Sequence, residues 1–138
     1  DEYIEDKPNL SFTYMGRLPS SLKLKNTNVI QPTGDNDRIA RELSSNVVYL
    51  TASEEEAGAN HVLEAQAAGL PVAYHSNGGS INEYVADRGK EFNNFDSMIQ
   101  SITEISDNYV TYKDKVDKYS NNILSVFKKY LEIICDKH

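Results

Sequence analysis

Two glutamates at a fixed separation are the residues of this sequence best suited to bind a ligand that carries both hydroxyl groups and negative charge. Glu56 and Glu64 have seven residues between them, and within the run Glu54–Glu56 only Glu56 gives that spacing. A carboxylate in a loop and a second one on the following helix can accept from two sets of hydroxyls. Free backbone N–H groups at a helix start attract an anion lying between them. The spacing therefore indicates a site for an anion that also carries hydroxyl groups.

The elements that must position these glutamates follow from hydrophobic patterning. Val47–Leu50 is a continuous apolar run, typical of a parallel strand with both faces covered. The Ala- and Leu-rich segment 60–68 predicts a helix that ends at Gly69, and Pro71–Tyr74 predicts a second buried strand. Ligands of parallel sheets bind outside the carboxyl ends of the strands. We therefore expect the chemistry in the loops after Leu50 and Tyr74, and also after a strand that ends at Met15.

The rest of the chain extends the same alternation of strands and helices. The other predicted elements are strands at Leu10–Met15 and Val29–Ile30, a helix within 34–46 with Thr33 and Asp35 as candidate caps, and a short helix through Val85 with Ser80 and Glu83 as a capping box. The remainder is predicted to be helical, with an apolar stripe from Phe95 to Ile105 and a C-terminal helix over 109–136. This order predicts an α/β fold, a Rossmann-like parallel sheet flanked by helices, in one domain spanning 1–138.

The composition of the chain argues against several classes of function. The net charge of −7 argues against a nucleic-acid surface, which needs clustered Lys and Arg. The acidic start has neither the basic flank nor the apolar stretch of a secretion signal, and the apolar residues are too dispersed for a membrane span. The single cysteine, Cys135, fits a reducing compartment. These features predict a cytoplasmic protein, and the sequence shows no Cys/His cluster that would bind a metal.

A longer stretch around the glutamates resembles a known enzyme family. The run from Glu56 to Val72 reads EAGANHVLEAQAAGLPV, and Gly78-Gly79-Ser-Ile-Asn-Glu83 follows it. These segments resemble the E-x7-E segment and the G-L-P-V and G-G-x-x-x-E elements of glycosyltransferase family 4, whose members are retaining enzymes of GT-B fold. The resemblance spans Val47 to Phe92, with weaker similarity to both ends.

The resemblance implies a role for each site residue. Glu56 would contact the transferred sugar as the catalytic residue, Glu64 would accept from the ribose hydroxyls, and the backbone between them would cradle the diphosphate and sugar. The loop that begins with Gly16 resembles the strand-end loop near the nucleotide. The donor-binding residues are then Gly16, Arg17, Gly58, Ala59, Asn60, His61, Glu64, Gly78 and Gly79.

The resemblance also implies what the complete enzyme does. The chain would be the donor-binding, C-terminal half of a hexosyltransferase that moves a sugar from a nucleotide diphosphate sugar to a glycan or lipid acceptor. The partner it implies is an N-terminal acceptor domain, absent here together with the first β-α unit of the donor domain. The chain alone is then expected to be inactive. No cofactor or obligatory metal is implied, and the full enzyme could contact a membrane peripherally.

Two other functions stay open at this point. One is a catalytically silent module of the same architecture that binds or assembles with a partner. The other is an enzyme like the sugar-nucleotide epimerases or phosphorylases, which share the GT-B layout without this E-x7-E run. A dinucleotide dehydrogenase is disfavoured because no G-x-G-x-x-G follows a predicted strand.

Overall fold

The computed structural model describes residues 1–119 and divides the chain into two units, the first comprising residues 1–39 and the second beginning at Ala40. Cys135 and residues 120–136 of the predicted C-terminal helix lie outside the described residues. Each unit is described by itself below.

The first unit contains a pair of parallel strands, β1 (Phe12–Met15) and β2 (Thr27–Ile30), after a short 3-10 turn at Glu2–Ile4. Both strands fall within or next to the segments that the sequence predicts. The Asp1 carboxylate accepts from the Thr27 hydroxyl at 2.8 Å and from two backbone N–H groups just before β2. This side chain therefore fixes the entry into β2.

The second unit contains a three-stranded parallel sheet. Its strands, in spatial order, are β3 (Tyr49–Thr51), β4 (Val72–His75) and β5 (Gly89–Phe92). Tyr49 lies opposite Val72, which in turn lies opposite Gly89. The central strand β4 is therefore bonded on both sides, which agrees with its buried, apolar sequence.

Five helices lie among the described residues. They are α1 (Asn36–Ser44), which contains the boundary between the units, α2 (Asn60–Ala67), α3 (Ser80–Val85), α4 (Phe95–Asp107) and α5 (Tyr109–Lys118). Asp35 caps α1 as predicted, because its carboxylate accepts from the N–H of Arg38 at 3.0 Å. α5 ends where Tyr119 has an extended backbone.

Helices cover both faces of the three-stranded sheet. Successive residues of a strand point to opposite faces. Val72 and Tyr74 of β4 accordingly pack in one buried cluster with residues of α2 and α3, while Ala73 packs in another with Ile105 of α4. Tyr112 of α5 lies against this second cluster. The predicted α/β fold with parallel strands flanked by helices is confirmed.

The turn between α2 and β4 also follows the prediction. The N–H of Gly69 bonds to Gln66 O at 2.9 Å and that of Leu70 bonds to Ala65 O at 3.0 Å, which is the Schellman pattern. Gly69 has a φ of +85°, which glycine adopts without steric cost. Gly69 therefore ends the helix as predicted, and the chain enters β4 at Val72.

Two predictions about the segment after β4 are wrong. Ser80 is not the N-cap of α3; Gly79 occupies that position and no side chain caps the helix. Residues 89–92 fall in the part of the chain that is predicted to be helical, yet they form β5. Their sequence, Gly-Lys-Glu-Phe, is mostly polar, and their backbone pairs with the central strand. A capping box does occur further on, where Asn94 accepts from Ser97 N–H at 2.9 Å. Pairing with a buried neighbour thus outweighs local strand preference here.

No helix among residues 1–119 is long and apolar enough to cross a membrane.

Candidate functional site

The candidate site lies at the carboxyl edge of the three-stranded sheet. Because β3 and β4 are parallel, the loops that follow them, 52–59 and 76–79, leave the sheet at the same edge. Glu56 lies in the first of these loops and Gly78 and Gly79 lie in the second. The fold therefore brings together two segments that the sequence separates by about 20 residues.

Two backbone hydrogen bonds join these loops, and we call this contact the loop junction (Glu55, Glu56, Asn77, Gly79 and Ser80). The N–H of Glu55 donates to Asn77 O at 2.8 Å, and that of Ser80 donates to Glu56 O at 2.9 Å. Gly79 has a φ of +65°, and a β-carbon there would lie 2.7 Å from Glu56 O. Only glycine fits without displacing the backbone of Glu56. The loop junction therefore fixes the backbone at the predicted catalytic residue.

The side chains of the glutamate run differ in their surroundings. Glu54 Oε1 lies 3.9 Å from His75 Nε2 at the end of β4. His75 Nδ1 accepts from the N–H of Asn77 at 3.2 Å, and its ring meets Phe92 edge-on. Glu56 is half-buried, and its carboxylate has no hydrogen bond or ion pair within residues 1–119. Of these glutamates, Glu54 has a protein partner, whereas Glu56 keeps its acceptor capacity for a ligand.

The start of α2 is tighter than the sequence predicts. Ala59, the N-cap, has φ −82° and ψ 67°, the geometry of an inverse γ-turn, and the N–H of Asn60 donates to Gly58 O at 3.0 Å. The expectation that the Asn60 N–H is open to an anion is therefore wrong. No side chain caps the helix. The N–H of His61 has no acceptor among the hydrogen bonds of the described residues.

A tyrosine that the sequence analysis did not place in the site contacts the first turn of α2. Tyr49 Oη lies 3.1 Å from His61 Nδ1, with the ring centroids 5.9 Å apart. Burial, and to a lesser extent the Glu64 carboxylate, raises the pKa of Tyr49 above its usual 10.0. His61 and Glu64 are thus both close to Tyr49. The signal for this contact was a tyrosine in an otherwise apolar strand, because a buried hydroxyl requires a partner.

Glu64 lies on the exposed side of α2, whose buried positions include Val62, Ala65 and Gln66. The Glu64 carboxylate therefore faces solvent. Exposure leaves Glu64 accessible to a ligand. Gln66 is the polar residue of this helix that is buried, and both atoms of its amide lack partners among the described residues.

Two further polar atoms near the loop junction have no partner among residues 1–119. The Ser80 hydroxyl and Asn82 Oδ1 are both buried and unpaired, while Asn82 Nδ2 donates to Ser76 O at 2.8 Å. Asn82 Oδ1 would lie 3.2 Å from a β-carbon placed at Gly78. Neither residue is predicted as a site residue from the sequence, where the spacing of Ser80 and Glu83 indicates a capping box instead.

Gly16 and Arg17 belong to the first unit and directly follow β1. The N–H of Gly16 donates to Ile30 O at 3.0 Å, which continues the pairing of β1 with β2. The Tyr14 hydroxyl donates to Arg17 O at 3.2 Å, and the Arg17 side chain is exposed. Their assignment to the donor site stays a prediction from the resemblance.

Comparison with protein-family models, with curated proteins and with solved structures gives no match for this chain. Within residues 1–119 there is also no group of three or more His, Cys, Asp or Glu side chains placed to bind a metal ion. The residues and geometry of the site itself are therefore the basis for inferring its function.

Proposed function

We propose that the second unit binds a nucleotide diphosphate sugar, as the donor-binding domain of a retaining, GT-B-fold glycosyltransferase similar to family 4. The observation that carries this proposal is the position of the E-x7-E segment on the sheet. Its first glutamate lies in a loop at the carboxyl edge, bonded to the glycine-rich loop of the neighbouring strand. Its second lies on the helix that leads away from that edge. Parallel sheets bind nucleotides at this edge.

Each residue has a role that its surroundings allow. Glu56, held at the loop junction with an unpaired carboxylate, would accept from the hydroxyls of the sugar. Glu64, exposed on α2, would accept from the ribose. The N–H of His61 and the imidazole beside it would donate to the diphosphate, at the positive end of the helix dipole. A domain of net negative charge needs such local donors to bind an anion.

The complete enzyme would then transfer a hexosyl unit to a glycan or lipid acceptor bound by another domain. Transfer in the GT-B fold takes place between two domains, so nucleotide binding, rather than activity, is the property to test in this chain.

Thermal unfolding with added nucleotide sugars tests the proposal. A uridine, guanosine or adenosine diphosphate sugar at ten times its Kd should stabilise the folded chain by about 1.4 kcal/mol, which raises the Tm by roughly 5 °C. Glu64→Gln should abolish the rise, since an amide no longer offers two equivalent acceptor oxygens to a ribose diol.

Asp107→Asn is the matched control, because it removes the same charge at the far end of α4. That helix starts at the carboxyl edge and ends about 18 Å away from it. A Tm that no nucleotide sugar changes would contradict the proposal and favour a catalytically silent module. A rise in Tm that is unchanged in Glu64→Gln would mean that the nucleotide binds elsewhere on the chain.

A further inference from the structure

The contact between Tyr49 and His61 joins the first residue of β3 to the second residue of α2. Tyr49 Oη and His61 Nδ1 lie 3.1 Å apart although the residues are 12 positions apart in the chain. The packing of α2 on β3 therefore fixes this distance. A hydroxyl this close to a ring nitrogen has two arrangements: it donates to an unprotonated Nδ1, or it accepts from an Nδ1–H.

The first arrangement gives the proton of the Tyr49 hydroxyl an acceptor. The Tyr49 hydroxyl keeps its proton, since burial raises the pKa of Tyr49, and the proton has no other acceptor among the described residues. If Nδ1 carried a proton, the tyrosine proton would be left without a protein partner in a half-buried position, which costs free energy. An imidazole that accepts at Nδ1 carries its proton on Nε2.

This proton would add a donor to a site whose two glutamates can only accept. Carboxylates accept and cannot donate, so Glu56 and Glu64 offer nothing to phosphate oxygens. The N–H of Asn60 is already bonded to Gly58 O. His61 is half-buried, and its Nε2 has no partner within residues 1–119.

We propose that Tyr49 is a positioning residue that holds His61 in its Nε2–H tautomer, and that this N–H donates to a phosphate oxygen of the bound donor. The inference rests on the proposed function and adds to it a residue that the E-x7-E segment does not contain. Tyr49 acts through His61 and does not itself contact the ligand.

Nitrogen-15 NMR of histidine-labelled protein tests the first half without any ligand. The imidazole nitrogens of His61 should report the Nε2–H tautomer in the wild type and a mixture in Tyr49→Phe, which keeps the ring and removes only the hydroxyl. His75 is an internal control, because its Nδ1 accepts from a backbone N–H that the substitution does not touch. An Nδ1–H tautomer of His61 in the wild type overturns the proposal, even if Tyr49→Phe folds poorly.

Adding a nucleotide diphosphate sugar tests the second half. Binding should shift the His61 Nε2–H signal. Tyr49→Phe should weaken the affinity in proportion to the fraction of His61 that leaves the Nε2–H tautomer, which is about twofold if the two tautomers become equally populated. Binding that leaves the His61 signal unchanged overturns this inference and leaves the proposed function intact. If none of the nucleotide sugars binds, the proposed function fails, and the phosphate contact fails with it.

Discussion

The two halves of the candidate site are held together in different ways. The loop junction is built from backbone hydrogen bonds, between Glu55 and Asn77 and between Ser80 and Glu56. The start of α2 is held against β3 by side chains, through the contact of Tyr49 with His61. Backbone bonds do not depend on side-chain identity, so the first half should tolerate most substitutions except at Gly79. The stability of the second half should fall when either of the contacting side chains is substituted.

This difference suits the proposed roles. A residue that contacts the reacting sugar needs a fixed backbone, and the loop junction supplies one at Glu56. A donor to phosphate needs its proton on one particular nitrogen, which only a neighbouring side chain can decide. The stability of the two halves should therefore respond differently to substitution.

The largest effect is expected at Gly79. In Gly79→Ala the new methyl group would lie 2.7 Å from Glu56 O at a backbone φ of +65°, so the loop junction has to open or remain strained. We expect a loss of about 2–3 kcal/mol in the free energy of unfolding. Urea denaturation measures it.

Gly58→Ala is the matched control, because a β-carbon at Gly58 meets nothing within 4 Å. It should be neutral, or stabilise the fold by up to about 1 kcal/mol by restricting the unfolded chain. Equal destabilisation by the two alanines would show that the loop junction does not hold the backbone as described.

A smaller loss is expected from Tyr49→Phe. The variant removes one partly buried hydrogen bond to His61 and leaves the packing of the ring intact. The free energy of unfolding should fall by about 1 kcal/mol. Tyr84→Phe serves as the comparison, since Tyr84 packs against the same cluster and its hydroxyl has no hydrogen bond among the described residues. If Tyr84→Phe is as unstable as Tyr49→Phe, the hydrogen bond between Tyr49 and His61 does not hold the start of α2 against β3.

Alkaline pH should reduce the difference in the free energy of unfolding between the wild type and Tyr49→Phe. Burial raises the pKa of Tyr49 in the folded chain above its usual 10.0. The unfolded state therefore loses its proton first, and the stability that the protonated hydroxyl contributes is present below pH 10 and lost as the pH rises through the folded-state pKa. Urea denaturation of both proteins from pH 8 to about 11 checks this. A difference in unfolding free energy that stays constant or grows as the pH rises would contradict the burial of the Tyr49 hydroxyl.

The smallest expected effect is the coupling between the halves. The loop junction and the Tyr49–His61 contact share no hydrogen bond among residues 1–119. The losses of Gly79→Ala and Tyr49→Phe should therefore add to within about 0.5 kcal/mol in the double variant. A larger interaction energy, measured by the same denaturation, would mean that the two halves form one unit.

Much of the second unit could be predicted from its sequence. The apolar runs before Leu50 and at Pro71–Tyr74 became neighbouring parallel strands, and Gly69 ends the helix between them. β5 could not be predicted, because its residues are polar and its strand conformation comes from pairing with β4. Local sequence patterns thus predict the strands and helices that form because of their own residues, and they miss a strand that forms because of its neighbour.

The site was only partly predictable for the same reason. The spacing of Glu56 and Glu64 is a local property, and it placed them in a loop and on a helix as observed. The loop junction and the Tyr49–His61 contact depend on tertiary packing between distant segments. The bonded N–H of Asn60 depends on a γ-turn that no residue type in the segment requires.

Titration calorimetry of the purified chain with uridine, guanosine and adenosine diphosphate sugars measures the central property directly, namely donor binding between the two glutamates. We expect weak but saturable binding of one nucleotide class, unchanged in Asp107→Asn and lost in Glu64→Gln. The same heat from Glu64→Gln as from the wild type, or no heat with any of the three nucleotides, would contradict the account.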